Sequence, residues 1–275
     1  MSSRAMWAAL ALSLAGGCLE HTPLGPGSDV VVVHAVLNPT TAVQHIAVRR
    51  SGIASIGGTA VHGATVTLTA PDGTIRVATE ASQPFAEPNV DARYDVAVDS
   101  LTAGKPYHLR VVTADGTIAE GDAIVPATPP MRTGPELRLD RTRDTLRLGW
   151  PRVAGARAYE VRIFTPRDST GLGFVDTPNG RVYLPPDDFL AYVDTSVVIV
   201  GTERRKNVPV FLAGVHYDVI VSAVDDHYYD YFAHDSDPYT PTALPSSLRG
   251  GVGVFGAIVP ILRQSVVVEG SFGTR

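Results

Sequence analysis

Cysteine is nearly absent from this sequence, because Cys18 is the only one among 275 residues. A single cysteine cannot form an intramolecular disulfide, and it excludes Cys-based zinc sites, redox pairs and thiol dyads from the rest of the chain. The chain also has no basic excess, since 23 Lys and Arg stand against 28 Asp and Glu. Because nucleic-acid binding needs a cationic surface that neutralises phosphates, we expect no nucleic-acid partner.

Long amphipathic helices are also missing, whereas turn-forming residues are abundant. Gly and Pro number 26 and 21, together about 17% of the residues against a usual value of roughly 12%. From residue 29 onward, short apolar stretches alternate with period two between turn signals, which is the pattern of β-sandwiches. We predict an all-β fold of two tandem immunoglobulin-like or prealbumin-like β-sandwiches, with a short helix in the C-terminal part.

Residues 1–17 have the pattern of a secretory signal peptide, with Arg4 before an apolar run and small residues before Cys18. The apolar run is too short for a permanent membrane anchor, which takes about 20 residues. The segment Ala15-Gly16-Gly17-Cys18 resembles the bacterial lipobox, although Ala15 stands where that motif commonly has Leu. The alternative is an ordinary cleaved signal peptide with a cysteine nearby by coincidence.

The lipobox resemblance implies that Cys18 becomes the lipid-modified first residue and carries acyl chains such as palmitate. Each buried CH₂ contributes about 0.8 kcal/mol, so several chains hold a protein stably on a membrane leaflet. Leu19 stands in place of the Asp that often marks inner-membrane retention. Residues 18–28 have no hydrophobic period and are predicted as a tether. We therefore expect an outer-membrane lipoprotein whose folded part faces the periplasm or the cell surface.

Residues 29–126 contain a strand-like segment at 63–68, a turn at Asp72-Gly73 and a corner at 101–107. These segments resemble the carboxypeptidase-regulatory-like sandwich, in which a Gly-Ala-x-Val-x-Leu strand, a Gly turn and a Leu-x-x-Gly-x-x-Tyr corner recur. The resemblance implies a structural or interaction module rather than a peptidase.

Residues 127–134 form a proline-containing linker, and residues 135–275 form the second half. This half resembles a fibronectin type III sandwich with an insertion, on the basis of three segments: Trp150-Pro151, Tyr159-Glu160-Val161 and 211–217. Both halves contain the motif apolar-x-Ala-Gly-x-x-Tyr, which ends at Tyr107 and at Tyr217. We predict that both are tyrosine corners with a structural role.

The segment Gly251-Val252-Gly253-Val254-Phe255-Gly256 satisfies the literal dinucleotide-binding fingerprint. That fingerprint binds phosphates only where it joins a strand to a helix N-terminus. Here residues 257–269 contain Pro260 and six Val or Ile residues, which predicts a strand. We therefore expect no nucleotide and no other cofactor, and we interpret the glycines as a bent or close-packed strand start.

The densest polar cluster lies at residues 225–237 and is predicted to form a short helix. Asp226, Asp230 and His234 would share one helix face, where carboxylates and an imidazole are plausible ligands for a divalent cation. Their spacing matches neither a calcium loop nor a His-Glu-x-x-His zinc helix. The favoured interpretation is therefore a solvated acidic face without metal, on a helix anchored by inward-facing aromatic residues: Tyr228, Tyr231 and Phe232.

Two catalytic motifs are missing, the Gly-x-Ser-x-Gly elbow and the phosphate-cradling loop. Four of the eight histidines lie on or beside predicted strands and are expected to face solvent: His34, His45, His62 and His108. A Ser/His/Asp triad that assembles in space is the alternative, but no pattern indicates one, so we predict that the chain is not an enzyme. The only basic run, at 204–206, is predicted as a solvated hairpin turn beside Asn207, with a lipid-headgroup or acidic-partner contact as the alternative.

The layout as a whole, over residues 18–269, resembles an uncharacterised family of bacterial cell-envelope lipoproteins common beside outer-membrane nutrient-uptake genes. Its most specific segments are Tyr229-Asp230-Tyr231-Phe232, Asp237-Pro238-Tyr239, Pro245-Ser246-Ser247 and the glycine-rich run 250–256. The resemblance implies a lipid-anchored binding or scaffolding protein with an envelope protein partner, accessory to a TonB-dependent transporter.

Two further function classes remain open at the level of sequence. One is a carbohydrate-binding surface lipoprotein, which would bind a glycan through exposed aromatic residues such as Tyr183, Tyr228 and Tyr239. The other is a hydrolase with a catalytic group that the sequence pattern does not reveal.

Overall fold

The computed structural model describes residues 29–51, 58–81, 92–165, 174–177, 180–183, 189–205, 208–234 and 246–270. Within these ranges it contains 21 strands and one short helix, so the predicted all-β sandwich fold is confirmed. No helix in the described ranges is long and apolar enough to cross a membrane.

The strands of the first half are β1 (Val31–Leu37), β2 (Val43–Arg50), β3 (Thr59–Ala60), β4 (Thr65–Thr69), β5 (Ile75–Val77), β6 (Thr79–Glu80), β7 (Ala92–Ala97), β8 (Pro106–Val112) and β9 (Ile118–Ile124). The second half adds β10 (Arg132–Thr133), β11 (Leu137–Leu139), β12 (Thr145–Gly149), β13 (Ala158–Phe164), β14 (Phe174–Thr177), β15 (Gly180–Tyr183), β16 (Phe189–Val193), β17 (Ser196–Val200), β18 (Arg204–Arg205), β19 (Val208–Pro209) and β20 (His216–Val224). The helix α1 (Asp226–His234) and the strand β21 (Val252–Val268) follow.

One large sheet runs through both halves of the molecule. Its strand order is β16-β13-β20-β21-β1-β2-β7-β6, with β10 and β11 also paired to β21 and β3 paired to β2. A four-stranded sheet of order β5-β4-β8-β9 covers it in the first half, and the pair β12-β17 belongs to the second half. The alternation predicted for these strands places Val33 and Leu109 in the core, where neither is exposed.

The last strand, β21, belongs to both halves. Its first part pairs in parallel with β1, from Val32 opposite Val252 to Leu37 opposite Ala257. Its second part pairs antiparallel with β20. The register shifts after Val221, and Pro260 lies at this irregularity, where a missing backbone N–H is tolerated. The division into domains at 29–126, 127–134 and 135–275 stays a prediction, but the two halves share a strand.

The apolar core is continuous from one half to the other. The same cluster of packed side chains contains Val48 and Val111 of the first half and Val161 and Val219 of the second. A contiguous core and a shared strand both tie the halves together. The outer face of the large sheet, on the side opposite this core, is covered in its middle by α1.

Candidate functional site

The helix α1 begins directly on strand β21. The side chain of Asp225 is buried, and its Oδ1 accepts a hydrogen bond from the Tyr228 backbone N–H at 2.8 Å, which makes Asp225 the N-cap. The Asp225 N–H donates to the Ala257 carbonyl of β21 at 3.1 Å. A Cβ on Gly256 would lie only 2.8 Å from the Tyr228 nitrogen, so glycine is needed where the helix meets the strand.

Burial of this N-cap changes the pKa of its carboxyl. Loss of water around Asp225 raises the pKa of its carboxyl from 3.8 to about 6, although the hydrogen bond from the Tyr228 backbone N–H lowers it. The first turn of α1 therefore begins at a carboxyl that titrates close to neutral pH.

A buried carboxylate, Glu160, lies under the middle of the helix. It is 3% exposed, and the Tyr228 hydroxyl donates to its Oε2 at 2.5 Å. The Tyr192 hydroxyl donates to the same oxygen at 3.4 Å, and an Arg162 nitrogen lies 3.3 Å from Oε1. We call Glu160, Arg162, Tyr192 and Tyr228 the Glu160 cluster. Burial, with the nearby Glu160 charge, raises the pKa of both tyrosines, so their hydroxyls remain donors.

The helix α1 also contacts the first half of the chain. The Tyr231 hydroxyl and His34 Nε2 on β1 are 2.6 Å apart, and the two rings meet edge to face at 5.2 Å. The expectation that His34 faces solvent is wrong in this respect, because α1 covers the outer sheet face and leaves His34 half-buried. Through Tyr228 and Tyr231, both 6% exposed, the helix binds strands from both halves. Their predicted inward orientation is confirmed.

The glycine-rich run 250–256 is the start of β21 and not a phosphate loop. Gly253 has a φ of +117°, and a Cβ there would overlap the Val33 carbonyl of β1. A Cβ on Gly251 would lie 2.7 Å from the Ala119 side chain and 2.9 Å from a β1 carbonyl. Since a strand follows these glycines, the interpretation as a close-packed strand start is confirmed.

The metal-ligand hypothesis concerned Asp226, Asp230 and His234. All three lie on α1, and Asp226 Oδ1 is 3.6 Å from the Arg157 Nε. Among the side chains that the structure describes, no group of three or more His, Cys, Asp or Glu is placed to hold a metal ion. The side chain of His234 lies outside the described part, so the hypothesis stays a prediction.

In both predicted tyrosine corners, the tyrosine hydroxyl accepts a hydrogen bond from a backbone N–H five residues earlier in the chain. The Thr102 N–H donates to the Tyr107 hydroxyl at 2.7 Å, and the Leu212 N–H donates to the Tyr217 hydroxyl at 2.9 Å. Burial raises the pKa of Tyr217 to about 12. These hydroxyls connect a strand to the loop before it, which is a structural role.

The remaining strand histidines pair with carboxylates at separate places. His45 Nδ1 is 2.7 Å from Asp95, His62 Nδ1 is 2.6 Å from Glu80, and His108 Nδ1 is 2.9 Å from Asp122. None of these hydrogen bonds within the described chain includes a serine, so they do not assemble the nucleophile and base of a triad.

The basic run is placed as a short hairpin. Arg204 and Arg205 of β18 pair with Pro209 and Val208 of β19, respectively. Lys206 and Asn207, between the two strands, lie outside the described residues.

Of the three aromatic side chains proposed for glycan binding, the structure describes only that of Tyr228. Tyr228 is buried under α1 and hydrogen-bonded to Glu160, so its assignment as an exposed platform is wrong. Tyr239 and the side chain of Tyr183 lie outside the described part of the chain, as do Cys18 and the tether at 18–28.

A family model described as "Domain of unknown function (DUF4249)" matches residues 21–260. The chain belongs to the DUF4249 family. The matched region of this DUF4249 chain contains the Glu160 cluster, α1 and the glycine-rich start of β21.

Two solved structures are similar to this DUF4249 chain over part of its length. One is a pullulanase from Anoxybacillus sp., at 14% identity over 69% of this chain and 24% of that chain, with a TM-score of 0.23. The other is a pullulanase from Anoxybacillus sp. complexed with maltotriose, at 13% identity with the same coverage and TM-score. The chain thus spans 24% of the length of each. None of the curated proteins matches the chain.

The Glu160 cluster was missed at the level of sequence. The only signal was a Glu within the alternating strand Ala158–Phe164, where alternation predicts an outward side chain. Glu160 does point to the outer face of the sheet, but α1 covers that face.

Proposed function

We propose that this DUF4249 chain is a lipid-anchored binding or scaffolding protein of the cell envelope, accessory to an outer-membrane TonB-dependent uptake system. The anchor rests on Cys18, the only cysteine, which directly follows three small residues at the end of an apolar run. The tether at 18–28 separates that anchor from β1, where the folded body begins.

The observation that carries the scaffolding part of the proposal is the shared strand β21. It pairs with β1 of the first half and with β10, β11 and β20 of the second. Two sandwiches joined only by a proline-containing linker would move independently, whereas a common strand and a continuous core resist such motion. A body of this kind presents surfaces from both halves in a constant geometry, which favours binding of one large partner.

The chemistry of three polar groups that contact α1 supports the view that the body is not an enzyme. Asp225 caps α1, while Glu160 and His34 are hydrogen-bonded to tyrosine hydroxyls of the same helix. Each of these groups holds α1 on the sheet, and their role is therefore structural.

The lipid anchor is tested by a Cys18→Ala variant expressed beside the unchanged chain. We expect radioactive palmitate to label the unchanged chain only, and we expect the variant to leave the membrane fraction. Treatment with globomycin, which blocks lipoprotein signal cleavage, should accumulate an uncleaved precursor that still carries the palmitate label. Membrane association that Cys18→Ala leaves unchanged would contradict the anchor.

The partner is tested by cross-linking in cells, followed by purification of the tagged chain and mass spectrometry. We expect an outer-membrane transporter to be enriched over a Cys18→Ala control, because the anchor places the body beside it. If no envelope protein is enriched over this control, the scaffolding role is refuted even where the anchor is verified.

A further inference from the structure

A polar cavity of about 470 Å³ opens in the first half, where β4 turns into β5 and β7 leads to β8. Cavities that bind small molecules are typically about 300–1,000 Å³ in volume. Two cations, Arg76 and Lys105, line it together with two carboxylates, Asp72 and Asp99. Charged side chains of both signs therefore meet at one concave surface.

The strand that supplies Arg76 has an inverted pattern. Ile75 and Val77 are 64% and 68% exposed, whereas Arg76 lies opposite the buried Leu68 on the core-facing side of β5. Sandwich strands normally place apolar residues inward and charges outward, and positions that break such a local rule are frequently functional. An inward charge on an edge strand also discourages strand pairing between molecules, which is the competing explanation.

The guanidinium of Arg76 has N–H groups that are not hydrogen-bonded to the described part of the chain. In the described part of the chain it makes no hydrogen bond, its Nε is buried without a partner, and its nearest carboxylate oxygen is 3.7 Å away on Asp99. The Asp99 side chain is 95% exposed, so this ion pair holds Arg76 weakly. Because Nε is buried, a ligand carboxylate would be bound by the two terminal nitrogens of Arg76, through two parallel N–H groups.

The acidic side of the cavity carries negative charge. The Thr74 N–H donates to Asp72 Oδ1 at 2.9 Å, which lowers the pKa of Asp72 and keeps it ionised. Asp72 and Asp99 thus present negative charge to a ligand ammonium group, while Arg76 and Lys105 present positive charge to a carboxylate. A doubly charged anion such as phosphate would be repelled by the two carboxylates.

We propose that this cavity binds a small zwitterion, namely a free amino acid or a dipeptide. The ligand carboxylate contacts Arg76 and Lys105, and its ammonium group contacts Asp72 and Asp99. This inference does not depend on the lipid anchor or on an envelope partner.

Isothermal titration calorimetry on the full chain in detergent tests the proposal, with the twenty free amino acids and glycyl dipeptides as probes. We expect at least one zwitterion to bind with a Kd below about 10 mM, and its N-acetylated and amidated forms to bind about tenfold more weakly or worse. Absence of binding by every probe, or equal binding of the capped forms, would overturn the proposal.

Matched variants locate the binding in the cavity. Arg76→Met keeps the length of the side chain and removes its charge, and Lys105→Met does the same at an exposed position. Both should weaken binding of the zwitterion about tenfold, whereas Arg147→Met, on the exposed side of β12, should not. If Arg76→Met fails to fold, Lys105→Met decides. Unchanged zwitterion binding in Lys105→Met would overturn the proposal. So would an Arg76→Met variant that binds the zwitterion unchanged but self-associates, and the role of Arg76 would then be to prevent strand pairing between molecules.

Discussion

Removal of one hydroxyl group, in the variant Tyr228→Phe, tests how α1 is held on the sheet. This hydroxyl donates to the buried Glu160 carboxylate at 2.5 Å, whereas Tyr192 is 3.4 Å away from the same oxygen. Phe retains the ring and leaves Oε2 with only the longer bond. Because a hydrogen bond to a charged group contributes about 1.5–3 kcal/mol, we expect the free energy of unfolding to fall by that amount.

The neighbouring Tyr229→Phe variant is the matched control. Tyr229 is half-buried on the same helix, and its ring contacts Tyr192 and Arg157, but its hydroxyl makes no hydrogen bond within the described residues. Its loss should change the free energy of unfolding by less than about 0.5 kcal/mol. Urea unfolding followed by tryptophan fluorescence, to which the buried Trp150 contributes, measures both variants. Equal losses would refute the argument.

A double-mutant cycle with Glu160→Gln isolates the contribution of the charge. The amide oxygen of the introduced glutamine would still accept from the Tyr228 hydroxyl, but as a neutral group, and such a bond contributes about 0.5–1.5 kcal/mol. Tyr228→Phe should therefore cost less in the Glu160→Gln background than in the unchanged chain. Identical costs in the two backgrounds would show that the carboxylate charge is irrelevant to the hydrogen bond.

Three further predictions concern other parts of the molecule. Gly253→Ala should lower the free energy of unfolding in urea by about 1–3 kcal/mol, since its Cβ would overlap a β1 carbonyl. Gly149→Ala, whose Cβ would make only an ordinary contact with the Thr195 carbonyl at 3.8 Å, should change it by under about 0.5 kcal/mol. Tyr107→Phe should cost about 0.5–1.5 kcal/mol by leaving a backbone N–H without its acceptor, and an unchanged Tm would contradict the corner. The pKa of Asp225 is raised to about 6, so its contribution to stability is present below pH 3.8 and lost as pH rises through 6. Urea unfolding at several pH values should show the unchanged chain losing up to about 3 kcal/mol relative to Asp225→Asn, and a difference independent of pH would count against it.

Local features of the first half followed directly from residue chemistry. Asp72-Gly73 and Asp115-Gly116 predict turns, and they connect β4 to β5 and β8 to β9, with positive φ at both glycines. These turns are predictable because the conformational freedom of glycine and the Asx turn act within a few residues.

The arrangement of the strands was not accessible in the same way. Alternation indicates which residues face the core, but it carries no information about which strand lies beside which. The parallel pairing of β1 with β21 joins residues more than two hundred positions apart. The same limitation explains Glu160 and His34, whose outward orientation was predictable, whereas the helix that covers them was not.

The position of β21 has a consequence for how the chain is made. β1 is synthesised more than two hundred residues before β21, its neighbour on one side. Until residues 252–257 arrive, β1 has an open edge beside the apolar side chains of Val31, Val33 and Ala35. Such an edge is a template for aggregation. A chain cut before residue 252 would thus leave the edge of β1 unpaired, more than two hundred residues away from the cut.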